Sequence, residues 1–241
     1  MEFIHITGYM ILHLIRYTCL LTFLMFLTNV ALAQIGNGGW LNLTHTQKLS
    51  PKVDLITDVQ FRSANNLDYL STLLLRSALS YNISKQHSVG LGYANITDWE
   101  MLNDVKTSKM EHRVFEQYIY KNSIQNIRLN IRARLEQRNM DKADKFSQRM
   151  RLQVGAVVPL IADKTFSKGM YSLLQSEVMF NVQNKDHVNG SFFDQHRPLI
   201  ALGYRFNKKI DAEFGYLRWQ QRKTSGDQER DIIQFRVLTN L

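Results

Sequence analysis

The sequence predicts an all-β fold: an antiparallel, up-and-down transmembrane β-barrel of ten to twelve strands at residues 34–241, preceded by a signal peptide at 1–33. Three observations predict it. Side chains alternate apolar and polar with a period of two, the alternating segments run to about 10–13 residues, and the linkers alternate short and long. Successive strand side chains point to opposite faces. Soluble strands average ~5–6 residues, whereas a tilted strand crossing a bilayer needs ~9–11. Tight turns at one end and longer loops at the other are the habit of membrane barrels.

The leader comes first. From Met10 to Ala33 the chain is almost continuously apolar, and it ends in Ala31-Leu32-Ala33 before Gln34. Small residues at those two positions are what a signal peptidase reads. A retained membrane-anchor helix is the alternative. The single cysteine, Cys19, follows Thr18 inside the apolar run, so it forms no lipobox, and the mature part has no thiol for a disulfide or a metal.

The strand-like segments follow in order. Trp40 to Leu49 is strand-like with an ambiguous phase. Val53, Leu55, Val59 and Phe61 alternate with Asp54, Asp58, Gln60 and Arg62. Leu73, Leu75, Leu79 and Tyr81 alternate with Arg76, Ala78 and Ser80, and Val89, Leu91 and Tyr93 with Gly90, Gly92 and Ala94. Glu111 to Asn122 is again ambiguous in phase. The clearest segment is Ile127 to Arg138, with Ile127, Leu129, Ile131, Ala133 and Leu135 on one face and Arg128, Arg132, Arg134, Glu136 and Arg138 on the other. A helix would mix those two sets. Met150 to Val158, Leu174 to Val182, Ile200 to Phe206, Ala212 to Tyr216 and Ile233 to Leu241 repeat the pattern. Thr97 to Met110, Gln183 to Phe193 and Arg222 to Arg230 read as long loops. Aromatic residues near the strand ends, among them Tyr81, Tyr118, Tyr204 and Trp219, suit a membrane interface. Eleven segments result. Single-chain bacterial barrels have even strand numbers, which leaves ten if Trp40 to Leu49 precedes the barrel or twelve if one strand is hidden. A soluble β-sandwich or lipocalin-like barrel also alternates, but with the apolar face inward.

Short motifs in these strands carry a resemblance. Glu111-x-Arg113, Glu136-Gln137-Arg138, Arg149-x-Arg151, Glu177, Asp194-Gln195-His196-Arg197 and Gly215-Tyr216, together with the early Trp40, span most of the mature chain. In them the sequence resembles the Bacteroidetes outer-membrane barrel family known as domain of unknown function twenty-four-ninety, with His196 where that family suggests asparagine. The resemblance implies an outer-membrane location and no settled activity.

The residues that could carry chemistry lie on the charged face. With apolar side chains turned to lipid, Arg128, Arg132, Arg134, Glu136, Arg138, Arg149, Arg151, Glu177, Arg197, Arg205, Glu213 and Arg236 face the lumen. One reading is structural, because paired arginines and carboxylates can fill and brace a narrow interior. The other is a small pore or solute-binding cavity for anions, since arginines outnumber acids there. The net charge of +9 favours anionic lipid and acidic solutes as partners of an exported chain, rather than nucleic acid. The barrel-insertion machinery is a further partner during assembly, read from the alternating C-terminal segment. No cofactor, metal site or catalytic constellation is expected: the seven histidines are scattered and no G-x-S-x-G or H-x-S element occurs. Asp194-x-His196 reads as placing both side chains on the lipid face. A lipase- or protease-type hydrolase acting at the outer rim, or an adhesive barrel using its long loops, are the alternatives.

Overall fold

The computed structural model describes residues 38–102, 105–141 and 145–241; the expected leader at 1–33 lies outside them. Eleven strands follow one another: β1 (Gly39–Ser50), β2 (Val53–Ser63), β3 (Leu70–Asn82), β4 (His87–Leu102), β5 (Val105–Ile124), β6 (Ile127–Met140), β7 (Ser147–Ala162), β8 (Gly169–Gln183), β9 (Phe193–Asn207), β10 (Ile210–Lys223) and β11 (Gly226–Asn240). Each pairs antiparallel with its neighbours in sequence, and β1 joins β11 to close the barrel. Apart from single 3-10 turns at Asn65–Leu67 and Lys185–His187, the described residues contain no helix.

The eleven segments read from the sequence are thus all strands, and neither route to an even count applies. Trp40 to Leu49 is inside the barrel as β1. In an up-and-down meander with an odd strand number, the first and last strands run the same way. β1 and β11 therefore pair parallel, from Gly39 opposite Ile233 to Thr46 opposite Asn240. The described chain enters the barrel at the end with the longer connections and leaves it at the end with the tight turns.

The sidedness follows the alternation. Outward positions stay in contact with the surroundings: Leu79, Leu91, Ile131, Leu152, Val154 and Phe214 are all exposed. Inward positions are buried and charged, and Glu136 and Arg149 are each only 2% accessible. This is the reverse of the arrangement expected of a soluble sandwich or lipocalin-like barrel, whose apolar face turns inward. Glu116 departs from the apolar outer face; its carboxylate accepts a hydrogen bond from Gln137 Nε2 at 3.0 Å.

Two of the expected loops are strands. β4 and β5 remain paired out to Leu102 opposite Val105, and β10 and β11 out to Lys223 opposite Gly226. Thr97 to Leu102, Val105 to Met110 and Arg222 to Arg230 therefore form β-ribbons. Their two-sided polarity carries no alternation signal, because neither face meets an apolar partner. β5 was ambiguous for a related reason. Its Phe115 points inward and is 1% accessible, while Glu116 points outward. Gly92 makes room for that ring: a Cβ there would lie 2.3 Å from Phe115 Cζ. Gly203 does the same for Tyr171, also at 2.3 Å.

Candidate functional site

The interior is the site, and its side chains come from almost every strand. The inward row of β6 meets those of β7, β8 and β9 in a chain of ion pairs. Glu136 accepts from Arg149 Nη2 at 2.6 Å and from Arg151 Nη1 at 2.7 Å. Arg149 Nη1 reaches on to Asp194 at 2.8 Å. Arg151 Nη2 reaches Glu177 at 2.8 Å, and Arg132 Nη2 donates to the same carboxylate at 2.7 Å. Nearer the loop end, Glu111 is held by Arg113 and by Arg138, with contacts of 2.7 and 2.6 Å. The planar fork of arginine explains the choice, since each guanidinium bridges two acceptors at fixed angles.

Two chambers divide the lumen. The loop-end chamber has a volume of about 380 Å³ and the turn-end chamber about 420 Å³. Thr44, Gln153, Gln175, Arg236 and Leu238 border both and form the partition between them. Ten arginines line the loop-end chamber against the carboxylates of Asp58, Asp98, Glu111 and Glu177. Glu136 and Asp194 stand just behind, already bound to Arg149 and Arg151.

Three of those arginines lack a close carboxylate partner. Arg62 donates to Gln60 Oε1 at 2.6 Å, Arg134 to Gln117 Oε1 at 2.7 Å, and Arg197 to Gln195 Oε1. The nearest acid to Arg134 is Glu136, at 3.7 Å. Buried nitrogens remain over: Arg62 Nε, Arg134 Nη1 and Arg197 Nε have no hydrogen-bond partner among the protein atoms. Aromatic faces support the cations instead. Arg62 lies 4.1 Å from the centroid of Trp40, Arg134 4.2 Å from Phe115, and Arg197 4.9 Å from Trp219. Such stacking contributes about 0.5–2 kcal/mol, but it leaves in-plane N–H groups free to donate. Burying unpaired charge is unfavourable by several kcal/mol per ion, so this arrangement has capacity for an anion.

The turn-end chamber is built differently. The turn between β7 and β8 folds back and sets Phe166 inside the mouth, 6% accessible. Arg128 and Arg205 stack on this ring at 4.4 and 4.3 Å and donate to its backbone carbonyl at 3.3 and 3.1 Å. Asp163 holds the turn. Its carboxylate accepts from the backbone N–H groups of Thr165, Ser167 and Lys168 at 2.8–3.0 Å, and from the Ser167 hydroxyl. These bonds, that of Ser167 foremost, hold its pKa below the usual carboxylate range.

All twelve charged residues picked out from the sequence face the interior. Arg132, Arg134, Arg138, Arg149, Arg151, Glu177 and Arg197 border the loop-end chamber, Arg128, Arg205 and Glu213 the turn-end one, and Arg236 both. Glu136 lies in the ion-pair chain. Two readings need correction. Asp194 is an inward residue, because a bulge lets Gln195 pair with Met179 and Phe193 with Phe180, leaving Asp194 as the extra residue. Trp219 borders the loop-end chamber rather than the outer interface. The sequence reading also passed over the carboxamides of Gln60, Gln117 and Gln195 as partners. Their inward phase was legible at Gln60, but not in ambiguous β5 or beyond the β9 bulge. Among the described residues no cluster of three or more His, Cys, Asp or Glu side chains is arranged to hold a metal.

A family match now joins this geometry. The description "Protein of unknown function (DUF2490)" fits residues 37–230, that is, all the strands but the end of β11. The chain belongs to the DUF2490 family. It is also 25% identical, over 195 residues, to an uncharacterised protein of Methylorubrum extorquens, covering 80% of this chain and 82% of that one. In this DUF2490 member the candidate site is thus the charged interior, assembled from side chains of many strands.

Proposed function

We propose that the chain is an exported outer-membrane protein whose barrel spans the bilayer and binds a small anionic solute in its loop-end chamber. One observation carries the membrane reading: the outer surface is apolar while the buried interior is charged. Only a solvent as apolar as lipid makes that distribution favourable. Closure also leaves no strand edge unpaired, as a bilayer requires. The leader at 1–33 fits export, and N-terminal sequencing of the mature protein should start at Gln34. Cell fractionation should find the protein with outer membranes, and its unheated form should migrate as a compact species that boiling unfolds. Recovery in the soluble fraction would end this reading. As an energetic check, Leu79→Arg puts a cation among outward Leu55 and Leu91. It should cost about 2–4 kcal/mol if that position lies near the bilayer midplane, read as reduced urea stability in vesicles.

The solute reading rests on Arg62, Arg134 and Arg197 and their unpartnered buried nitrogens. A chamber of about 380 Å³ accommodates a small organic anion. Calorimetric titration with a panel of carboxylates and phosphate esters should detect binding that weakens at least tenfold in a double Arg62→Gln, Arg197→Gln variant. Steady conductance through an open pore is the second reading. The partition and the Phe166 turn argue against it, and planar-bilayer recordings should show little current until Phe166→Ala opens the turn-end mouth.

A further inference from the structure

On the outer face, three strands bring together groups that the lumen does not use. Ser176 on β8, His196 on β9 and Gln220 on β10 all point outward. Ser176 Oγ lies 2.9 Å from His196 Nε2, and His196 Nδ1 lies 3.1 Å from Gln220 Oε1. With the imidazole proton on Nδ1, the hydroxyl donates to Nε2 and the ring donates to the carboxamide oxygen. Gln220 is itself fixed, since its Nε2 donates to Glu229 Oε1 at 2.9 Å. Nucleophile, base and orienting acceptor therefore stand in the order a serine hydrolase needs.

Position sharpens the case. The outward row of β9 is Pro198, Ile200, Leu202, Tyr204 and Phe206, and His196 is the next outward position toward the loop end. On β8, Ser176 sits between outward Leu174 and Val178. On β9 and β10 the relay thus lies at the loop-end margin of the apolar rows, while on β8 the outward row stays apolar on both sides of Ser176, with Leu174 below it and Val178, Phe180 and Val182 above it. In a bilayer the His196 end would face the ester groups of the lipids and Ser176 the acyl chains just beneath them. Polar side chains at such a level are unfavourable unless they serve one another or a function, and here Ser176 remains exposed to whatever the outer face meets.

We infer that Ser176, His196 and Gln220 form an acyl-ester hydrolase site facing the membrane, with membrane glycerolipid as substrate. This rests on the outer-face-to-lipid reading above. Ser176 Oγ would attack the ester carbonyl carbon while His196 Nε2 takes the hydroxyl proton. Collapse of the adduct expels the lyso-lipid alkoxide, which takes that proton from His196. Water, activated by the same nitrogen, then attacks the acyl-serine, releasing the fatty acid and restoring the hydroxyl. Arg218 and Arg222, outward on β10 and paired with Glu229 and Asp227, are the nearby cations on this strand.

The test uses the purified full chain, folded in detergent micelles and checked by its unheated gel mobility. A fluorophosphonate probe should label Ser176, and mixed micelles of phosphatidylethanolamine should yield free fatty acid. Ser176→Ala should abolish both signals, and His196→Ala should reduce turnover by roughly 10³-fold, within the range that general-base catalysis contributes. Gln220→Ala should reduce turnover and shift its pH profile, with Gln220→Glu restoring it. Absence of probe labelling, or fatty-acid release unchanged in Ser176→Ala, would overturn the proposal. Fractionation decides the membrane reading separately, so the two can fail independently.

Discussion

The two ends of the lumen solve the same problem in opposite ways. At the loop end, charge is balanced over long sequence distances: Arg149 bridges Glu136 and Asp194, which come from β6 and β9. At the turn end, a local turn does most of the work. Asp163 binds Thr165, Ser167 and Lys168 of its own turn, and Phe166 offers its ring and carbonyl to Arg128 and Arg205. The difference teaches that the loop-end half is a cooperative lattice with surplus cation, whereas the turn-end half is a self-contained plug. Surplus guanidinium groups line the first, whereas Arg128 and Arg205 in the second are already engaged by Phe166.

The contrast can be broken most severely at the lattice. Glu136→Ala removes the acceptor shared by Arg149 and Arg151 and should cost about 3–5 kcal/mol, because two buried cations lose a partner. Urea unfolding in vesicles should show it, and a loss below 1 kcal/mol would mean that the lattice is not cooperative. Gly203→Val comes next. Its side chain would collide with the Tyr171 ring, whose hydroxyl donates to Glu213 at 2.8 Å. Overpacking of this kind costs about 1–3 kcal/mol, and the loss should be accompanied by a changed tyrosine fluorescence. Asp163→Asn is the mildest. The carboxylate pKa is depressed in the folded state, so its contribution is complete above the unfolded value near ~3.9 and fades as pH falls through the lower folded value. Wild type should therefore lose this increment only in strong acid, while the asparagine variant should show a flatter acid response in gel-shift melting.

Legibility in the sequence followed the same division. β6 and β7 could be assigned to faces residue by residue, because Ile131 and Leu152 point outward while Arg132 and Arg151 point into the lumen. The barrel and its sidedness follow from such strands. β5 resisted because Phe115 fills the lumen and Glu116 faces out, which inverts the rule over two residues. Asp194 resisted because a bulge moves the phase by one without any signature in composition. The relay of Ser176, His196 and Gln220 resisted for a third reason. Its members are far apart in sequence and meet through register alone, which no contiguous motif records. The amide-bound state of Arg62, Arg134 and Arg197 likewise depends on which inward neighbour the register supplies.

The parallel seam carries a consequence for engineering. Because β1 and β11 point the same way, the first and last strand residues lie apart along the seam. Asn240 sits beside Thr46, seven residues along β1 from Gly39, and at a rise of ~3.3 Å each that gap is roughly 23 Å. A circular permutant joining Asn240 to Gly39 would need a tether that runs through the packed interior or along the outer wall. Even-stranded barrels tolerate such rewiring with a short splice. This one should not, and if the barrel spans a membrane as proposed, epitope tags beside Gly39 and Asn240 should be reachable from opposite sides of it.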